Sequence, residues 1–340
     1  MFKRSTVILL VASMLLTACA QAATPAPTTE APSAPAPTTA VVSTVAPLPA
    51  EKPYTFYWIS HGTEGAPIWT FALKGANAAA EALGVDLKAS YHASDVASQK
   101  EAFNAAIAAN ADGIAVSSPQ TGVLTEEVKL AREKGIPVVF FNTDDIATGR
   151  DAFVGADLYQ AGQMWAKYLV EKCNIKSGDL VWLPVEVPGM TYQTEETRGI
   201  ASIFDPLGIK YDVYEAKYDP VETVQLMTDY LTAHGSKVKA VIALGDVVAG
   251  YVQKAFEGVG WAPGKVPVVG WGNSADAARA VKAGYITAAT WQYPDSQGFM
   301  PIVLLYMAKK GMVIGYDVYT MGNYDKGSVD TFTTLAEQMK

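Results

Sequence analysis

Cysteine and histidine are nearly absent from this chain: 340 residues carry two cysteines, Cys19 and Cys173, and three histidines, His61, His92 and His234. Cys19 falls in the N-terminal segment, which leaves Cys173 alone in the folded part. One thiol cannot close an internal disulfide, and no Cys/His spacing suits a zinc site. Signatures of chemistry are missing too. No G-x-G-x-x-G follows the first predicted strand, and no G-x-S-x-G, P-loop or H-E-x-x-H pattern occurs. No cofactor, no metal and no enzymatic activity are therefore expected. Positive charge is also short. Against 34 Asp and Glu stand 26 Lys and Arg, and the net charge goes from −8 to −10 if Lys3 and Arg4 leave with a leader. That balance disfavours nucleic acid, which needs basic stripes to displace phosphate counterions. The apolar run Val7–Leu16, broken only by Ser13, falls short of the ~20 residues that span a bilayer.

That run has a meaning of its own. Lys3 and Arg4 precede it and Leu16-Thr17-Ala18-Cys19 ends it, as in a secretory signal with a small-residue cleavage site. The ending resembles the lipobox of bacterial lipoproteins, which implies a signal over residues 1–18 and lipid on Cys19. The protein is then extracytoplasmic and meets the membrane only through a lipid anchor. Residues 20–53 hold eight prolines among Ala, Thr, Ser and Val, with Glu30, Glu51 and Lys52 as the charged residues. Such a stretch cannot offset its ordering entropy and reads as a tether.

From Tyr54 onward short apolar runs alternate with helical patterns. Strands are predicted at 55–60, 85–90, 113–116, 137–141, 180–184, 210–214, 240–243, 266–269 and 287–290. Helices are predicted at 67–83, 96–109, 122–134, 158–173, 195–205, 221–233, 247–256, 275–282 and 295–309. The rhythm restarts after Gly155, and the two halves have similar length. The fold class is therefore α/β, with two doubly wound, mainly parallel-sheet lobes. Ligands of such sheets sit beyond the C-terminal ends of strands, so the residues after each strand are the candidates. They include Ser60, His61, Glu64 and Trp69 after the first strand, Asn142 and Asp144 after the fourth, and Glu186 after 180–184. Tyr218, Asp246, Trp271, Asn273, Trp291 and Gln292 follow later strands. Carboxylates, amides and flat rings together suit a polyhydroxylated ligand: hydroxyls pair with Asp, Asn and Gln, and C–H faces stack on Trp or Tyr. Asp219, Asp246 and Ser274 also precede helices, where N-capping alone accounts for such residues.

The folded part resembles the type I periplasmic sugar-binding proteins, near the ribose-binding branch. The matching stretches are Pro67-Ile68-Trp69, Gly135-Ile136-Pro137-Val138, Val268-Val269-Gly270-Trp271, and Trp291-Gln292-Tyr293-Pro294-Asp295 with Gly298. The resemblance implies two lobes joined by three hinge crossovers, a monosaccharide enclosed between them, and delivery to the permease subunits of an ABC transporter. A monomer is expected. The implied lobes are 54–156 plus 294–319 and 157–293 plus 320–340, after the signal (1–18) and the lipidated tether (19–53). By position, Trp69 and Tyr218 would stack on the sugar and Gln292 would be a hinge-side amide, while Asp246 follows the family's asparagine. The chain departs from the pattern at Asn142, where the branch has aspartate, and at Thr143 and Glu195, at or near arginine positions. Gly245 stands at the asparagine position and Gly272 near an aspartate. The Asp–Arg clamp is missing, and Arg198 is the nearest arginine. This implies a neutral ligand. Ser60, His61, Glu64, Asn142, Asp144, Glu195, Asp246, Asn273 and Gln292 are the expected polar contacts.

Two rival readings stay open. The aromatics would stack a nucleoside or signalling molecule as well as a sugar, and His61 with Glu64 are conceivable as the acid–base pair of a carbohydrate-active enzyme. A sugar-responsive repressor would need a basic headpiece where this sequence has signal and tether. Mass spectrometry of protein from its host should find an acylated terminus at Cys19; an unmodified terminus elsewhere contradicts the lipid anchor.

Overall fold

Apolar runs of three to six residues, too short for helices, assemble into two parallel sheets in the computed structural model, which describes residues 52–338. The signal segment, Cys19 and nearly all of the tether lie outside the described residues. The first sheet contains β1 (Thr55–Ser60), β2 (Asp86–Tyr91), β3 (Gly113–Val116), β4 (Val138–Asn142), β5 (Ala152–Gly155) and β11 (Asp317–Tyr319) in the order β11-β5-β4-β3-β1-β2. Every neighbouring pair in it is parallel. Its helices are α1 (Pro67–Leu83), α2 (Val96–Ala108), α3 (Thr125–Glu133) and α9 (Pro294–Lys309). The second sheet runs β7 (Lys210–Glu215), β6 (Leu180–Val185), β8 (Val238–Ala243), β9 (Val268–Gly270), again all parallel. A Trp271–Thr290 bridge carries it on to an antiparallel ribbon of β10 (Ala288–Trp291) and β12 (Gly322–Asp325). Its helices are α4 (Leu158–Cys173), α5 (Thr191–Leu207), α6 (Pro220–His234), α7 (Asp246–Gly258), α8 (Ala275–Ala283) and α10 (Val329–Glu337).

Side chains alternate across each strand, so each sheet feeds two cores. In the first sheet Phe56, Trp58, Val139 and Phe141 pack under α1 and α9, while Ile59, Ile114, Val138 and Phe140 pack under α2 and α3. In the second, Trp182, Val241 and Ala243 serve one face and Val181, Leu183, Ala240 and Ile242 the other. Two further features hold each lobe's helices at close range. Gly75 of α1 and Gly298 of α9 lie against the backbone of the opposite helix, at the Asp295 and Ala72 carbonyls. Gly162 of α4 and Gly199 of α5 do the same against Glu196 and Tyr159. A methyl group at any of the four would overlap a carbonyl oxygen, so backbone approach rather than side-chain interdigitation sets both crossings.

The chain passes between the sheets three times: from β5 into α4, from β10 into α9, and from β11 into β12. The sequence reading missed β5, β11, β12 and α10. Three of these are strands of only three or four residues, and β12 (GNYD) is polar, so no apolar run marks it. Helix α5 starts at Thr191, four residues before the predicted Glu195, with no side-chain cap to mark it in the sequence; instead Gln193 Oε1 accepts from Gly189 N–H (2.8 Å).

Gly298→Ala should cost about 3 kcal/mol or more, at the upper end of overpacking penalties because the neighbour is backbone. Gly315→Ala, with open space around the site, should fall within about 0.5 kcal/mol of wild type. Urea denaturation midpoints check both; equal midpoints for the two variants contradict the close-crossing account.

Candidate ligand-binding site

The order of each sheet reverses once, between β1 and β3 in the first and between β6 and β8 in the second. Beyond the carboxyl ends of these strands lies a cavity of about 580 Å³, shared by residues of both sheets, within the usual range for small-molecule sites. His61, Trp69, Asn142 and Thr143 line it from the first sheet. Glu186, Tyr192, Glu196, Tyr218, Asp246, Trp271 and Asn273 line it from the second, and Gln292 from a crossover.

The first wall is built around an indole. Trp69 lies in the first turn of α1 and packs edge-on against His61 (4.8 Å between ring centres) and Phe141 (6.4 Å). Gly62 makes room, since a Cβ there would overlap the indole. His61 is fixed by Ser117, whose Oγ accepts the His61 backbone N–H (3.0 Å) and lies 2.8 Å from Nδ1. Burial lowers the imidazole pKa to about 4, against a smaller opposing effect of the Ser117 hydrogen bond, so His61 is neutral near pH 7.

The second wall is acidic. Glu186 Oε1 accepts from the N–H groups of Val247 (2.8 Å) and Val248 (3.3 Å) at the start of α7, and Tyr192 OH donates to Oε2 (3.1 Å). A carboxylate at a helix N-terminus is favourably placed. Residue 245 is glycine because the Glu186 carboxylate occupies the space a Cβ would need. Asp246 Oδ1 accepts from Asn273 Nδ2 (2.8 Å) and N (3.3 Å). Asn273 Oδ1 in turn accepts from Gln292 N–H (2.7 Å). Glu196 Oε1 accepts from Trp271 Nε1 (2.8 Å), and Glu196 Oε2, fully buried, has no partner among the described residues. Burial raises the pKa of all three carboxyls, and their proximity adds to the rise for Asp246 and Glu196. Asp246 reaches about 7.

The floor is formed by the crossovers. Asn142, at φ 62°, donates from Nδ2 to Gln297 Oε1 (3.0 Å) and, more weakly, to Gln292 Oε1 (3.5 Å). Gln297 Nε2 donates to Gln292 O and Thr320 Oγ1, each at 3.0 Å, and Thr320 N–H donates to Gly155 O (2.9 Å). All three crossovers are thereby tied to one amide.

Of the residues expected from sequence, His61, Trp69, Asn142, Tyr218, Asp246, Asn273 and Gln292 share the cavity, with Tyr218 on the rim at 55% exposure. Four are corrected. Ser60 Oγ is turned to Gly62 N–H (2.9 Å) and shapes the loop. Glu64 stays exposed on that loop. Asp144 is held, with Asp317, by Arg150. Glu195 pairs with Arg198 on the outer face of α5; one residue on, a turn of 100° brings Glu196 into the cavity instead. Trp291 is a core residue packed on Phe332. Tyr192, Glu196 and Gln297 were missed, and Glu186 was a strand-end candidate but not among the expected contacts. Its use depends on α7, which no local pattern reveals.

Comparison with known proteins agrees with this architecture. A sequence profile described as a periplasmic binding protein domain matches residues 56–312. The D-allose-binding periplasmic protein of Escherichia coli (strain K12) is 27% identical over 262 residues, covering 74% of this chain and 84% of that protein. A carbohydrate transporter from Acidothermus cellulolyticus 11B, solved in complex with myo-inositol, superposes with a TM-score of 0.75 at 23% identity, over 85% of this chain and 99% of that one. A glucose-galactose binding protein from Geobacillus stearothermophilus superposes with a TM-score of 0.73 at 23% identity, over 82% and 99%.

The acidic wall has a pH signature. Asp246 holds a proton in the folded protein up to about pH 7, whereas the unfolded chain gives it up near pH 4. The stability this confers is present at low pH and is lost as pH rises through 7. His61 acts oppositely below pH 6.5, so wild type alone does not isolate the effect. Asp246→Asn should gain stability over wild type between pH 5 and pH 8, by about 2 kcal/mol. Chemical denaturation at both pH values measures it; a constant difference contradicts the assignment.

Proposed function

The chain belongs to the periplasmic binding protein family, and we propose that it captures a monosaccharide or a polyol of that size between its two lobes. It then presents the ligand to the permease of an ABC importer. The observation that carries this reading is the shared cavity: one wall offers Trp69, the rim offers Tyr218, and Asp246, Asn273 and Gln292 offer hydroxyl partners. Flat rings over C–H faces and amides or carboxylates against hydroxyls are what a sugar ring needs. The relative named for D-allose supports the same class of ligand.

Both lobes contribute, so the ligand completes a surface that neither lobe has alone. Closure about the three crossovers is the corresponding motion. The sequence pattern at Leu16–Cys19 supports a lipid anchor on the outer side of the membrane, with the Pro-rich segment as its tether. The ligand leaves unchanged in this reading. His61 lines the cavity while Glu64 is exposed on the loop outside its lining, which supports a binding role over the acid–base pair.

The missing arginine removes sugar phosphates and sugar acids from the ligand class, because a desolvated anion needs a paired cation. This was the ground for expecting a neutral ligand. The acidic wall supports the exclusion of anions and leaves neutral and basic polyols. A thermal-shift screen over aldoses, ketoses, polyols and nucleosides finds the ligand, since binding to the native state raises its melting temperature. For the best hit, Trp69→Ala should lose about 1–3 kcal/mol of affinity by calorimetry. Unchanged affinity, or a preference for sugar phosphates, defeats the proposal.

A further inference from the structure

The cavity gathers acids at which no lysine or arginine of its described lining is aimed, apart from Asp276 at the edge, which Arg279 pairs. Glu186, Glu196 and Asp246 reach it from three separate elements: the end of β6, the second turn of α5 and the start of α7. Glu186 is provided for by two helix N–H groups and the Tyr192 hydroxyl. The other two are half provided for. Asp246 has both its hydrogen bonds on Oδ1, and Glu196 has its one on Oε1. Glu196 Oε2 is fully buried and has no partner among the described residues.

Neither lysine nor arginine is among the described residues lining the cavity. Arg198, on the same helix as Glu196, is turned outward to Glu195 and lies 4.0 Å from the Tyr159 ring centre. A metal ion does not resolve the imbalance either: among the described residues no three His, Cys, Asp or Glu side chains converge as a metal site requires. Apart from the protons that burial favours on these carboxyls, nothing among the described lining residues offers them a positive charge.

We infer that the ligand supplies it: an amino-substituted sugar or cyclitol, whose ammonium group sits between Asp246 and Glu196 and donates to their open oxygens. A neutral polyol donates hydroxyl hydrogens to the same atoms but leaves the buried acids no partner of opposite charge. An ammonium brings up to three donors and the missing charge together. The inference rests on capture of a sugar or polyol at this cavity and specifies a substituent on it.

Calorimetry on the mature chain with matched pairs tests it: glucose against its 2-, 3- and 6-amino-deoxy derivatives, galactose against galactosamine, and myo-inositol against an amino-deoxyinositol. In at least one pair the amine should bind roughly tenfold tighter or more, and N-acetylation of that amine should abolish the gain. Asp246→Asn and Glu196→Gln, both near-isosteric, should each weaken the amine at least about tenfold more than they weaken its neutral partner. Glu195→Gln, outside the cavity, should change neither. The N-acetyl comparison uses wild-type protein and stands even where a variant folds poorly. If every neutral compound binds as tightly as its amine, the ammonium site is wrong and polyol capture stands. If neither member of any pair binds, both are overturned.

Discussion

Everything about the site depends on how one buried amide, Gln297, is satisfied. Its NH2 group donates to the Gln292 carbonyl and the Thr320 hydroxyl, and its oxygen accepts from Asn142. Those partners belong to three places where the chain leaves or enters a sheet, and Thr320 extends the link to Gly155. Leaving a buried amide unpaired costs about 1–3 kcal/mol, so the three crossovers are held in one arrangement at their meeting point. Gly298, the next residue, brings α9 against Ala72 of α1. A single turn of α9 thus fixes both the packing of the first lobe and the floor of the cavity.

From that floor rise two walls of different chemistry. The first is aromatic and uncharged at neutral pH, with Trp69 leaning on a neutral His61. The second concentrates carboxyls whose protonated form burial favours. Burial of that kind opposes the charged form, and hydrogen bonds hold the wall in place: Glu186 is anchored on the α7 N-terminus, and Asp246 is chained through Asn273 to the Gln292 backbone. The same chain of hydrogen bonds runs from the acidic wall to the Gln297 knot.

Much of this was legible in the sequence. Apolar runs such as GIAV and VVFFN could only be buried strands, and their spacing gave the parallel sheets and placed His61, Asn142 and Asp246 at carboxyl ends. Three kinds of information were not local. Strands as short and polar as GNYD form only because a partner is waiting, here β10. The inward face of α5 is set by its close packing on α4, which turns Glu196 to the cavity and leaves Glu195, placed by the family pattern, on the outer face. Gln297 gains its meaning only when three segments far apart in sequence meet. The glycine at 245 was visible as a departure from the family pattern, but its cause, the Glu186 carboxylate beside it, belongs to the fold.

The central claim is that two walls on separate lobes take hold of one ligand by movement about the knotted crossovers. Small-angle scattering of the mature chain, with and without a saturating ligand of confirmed tight binding, tests it most directly. The account predicts a smaller radius of gyration in the bound state. Superimposable profiles in the two states would contradict it.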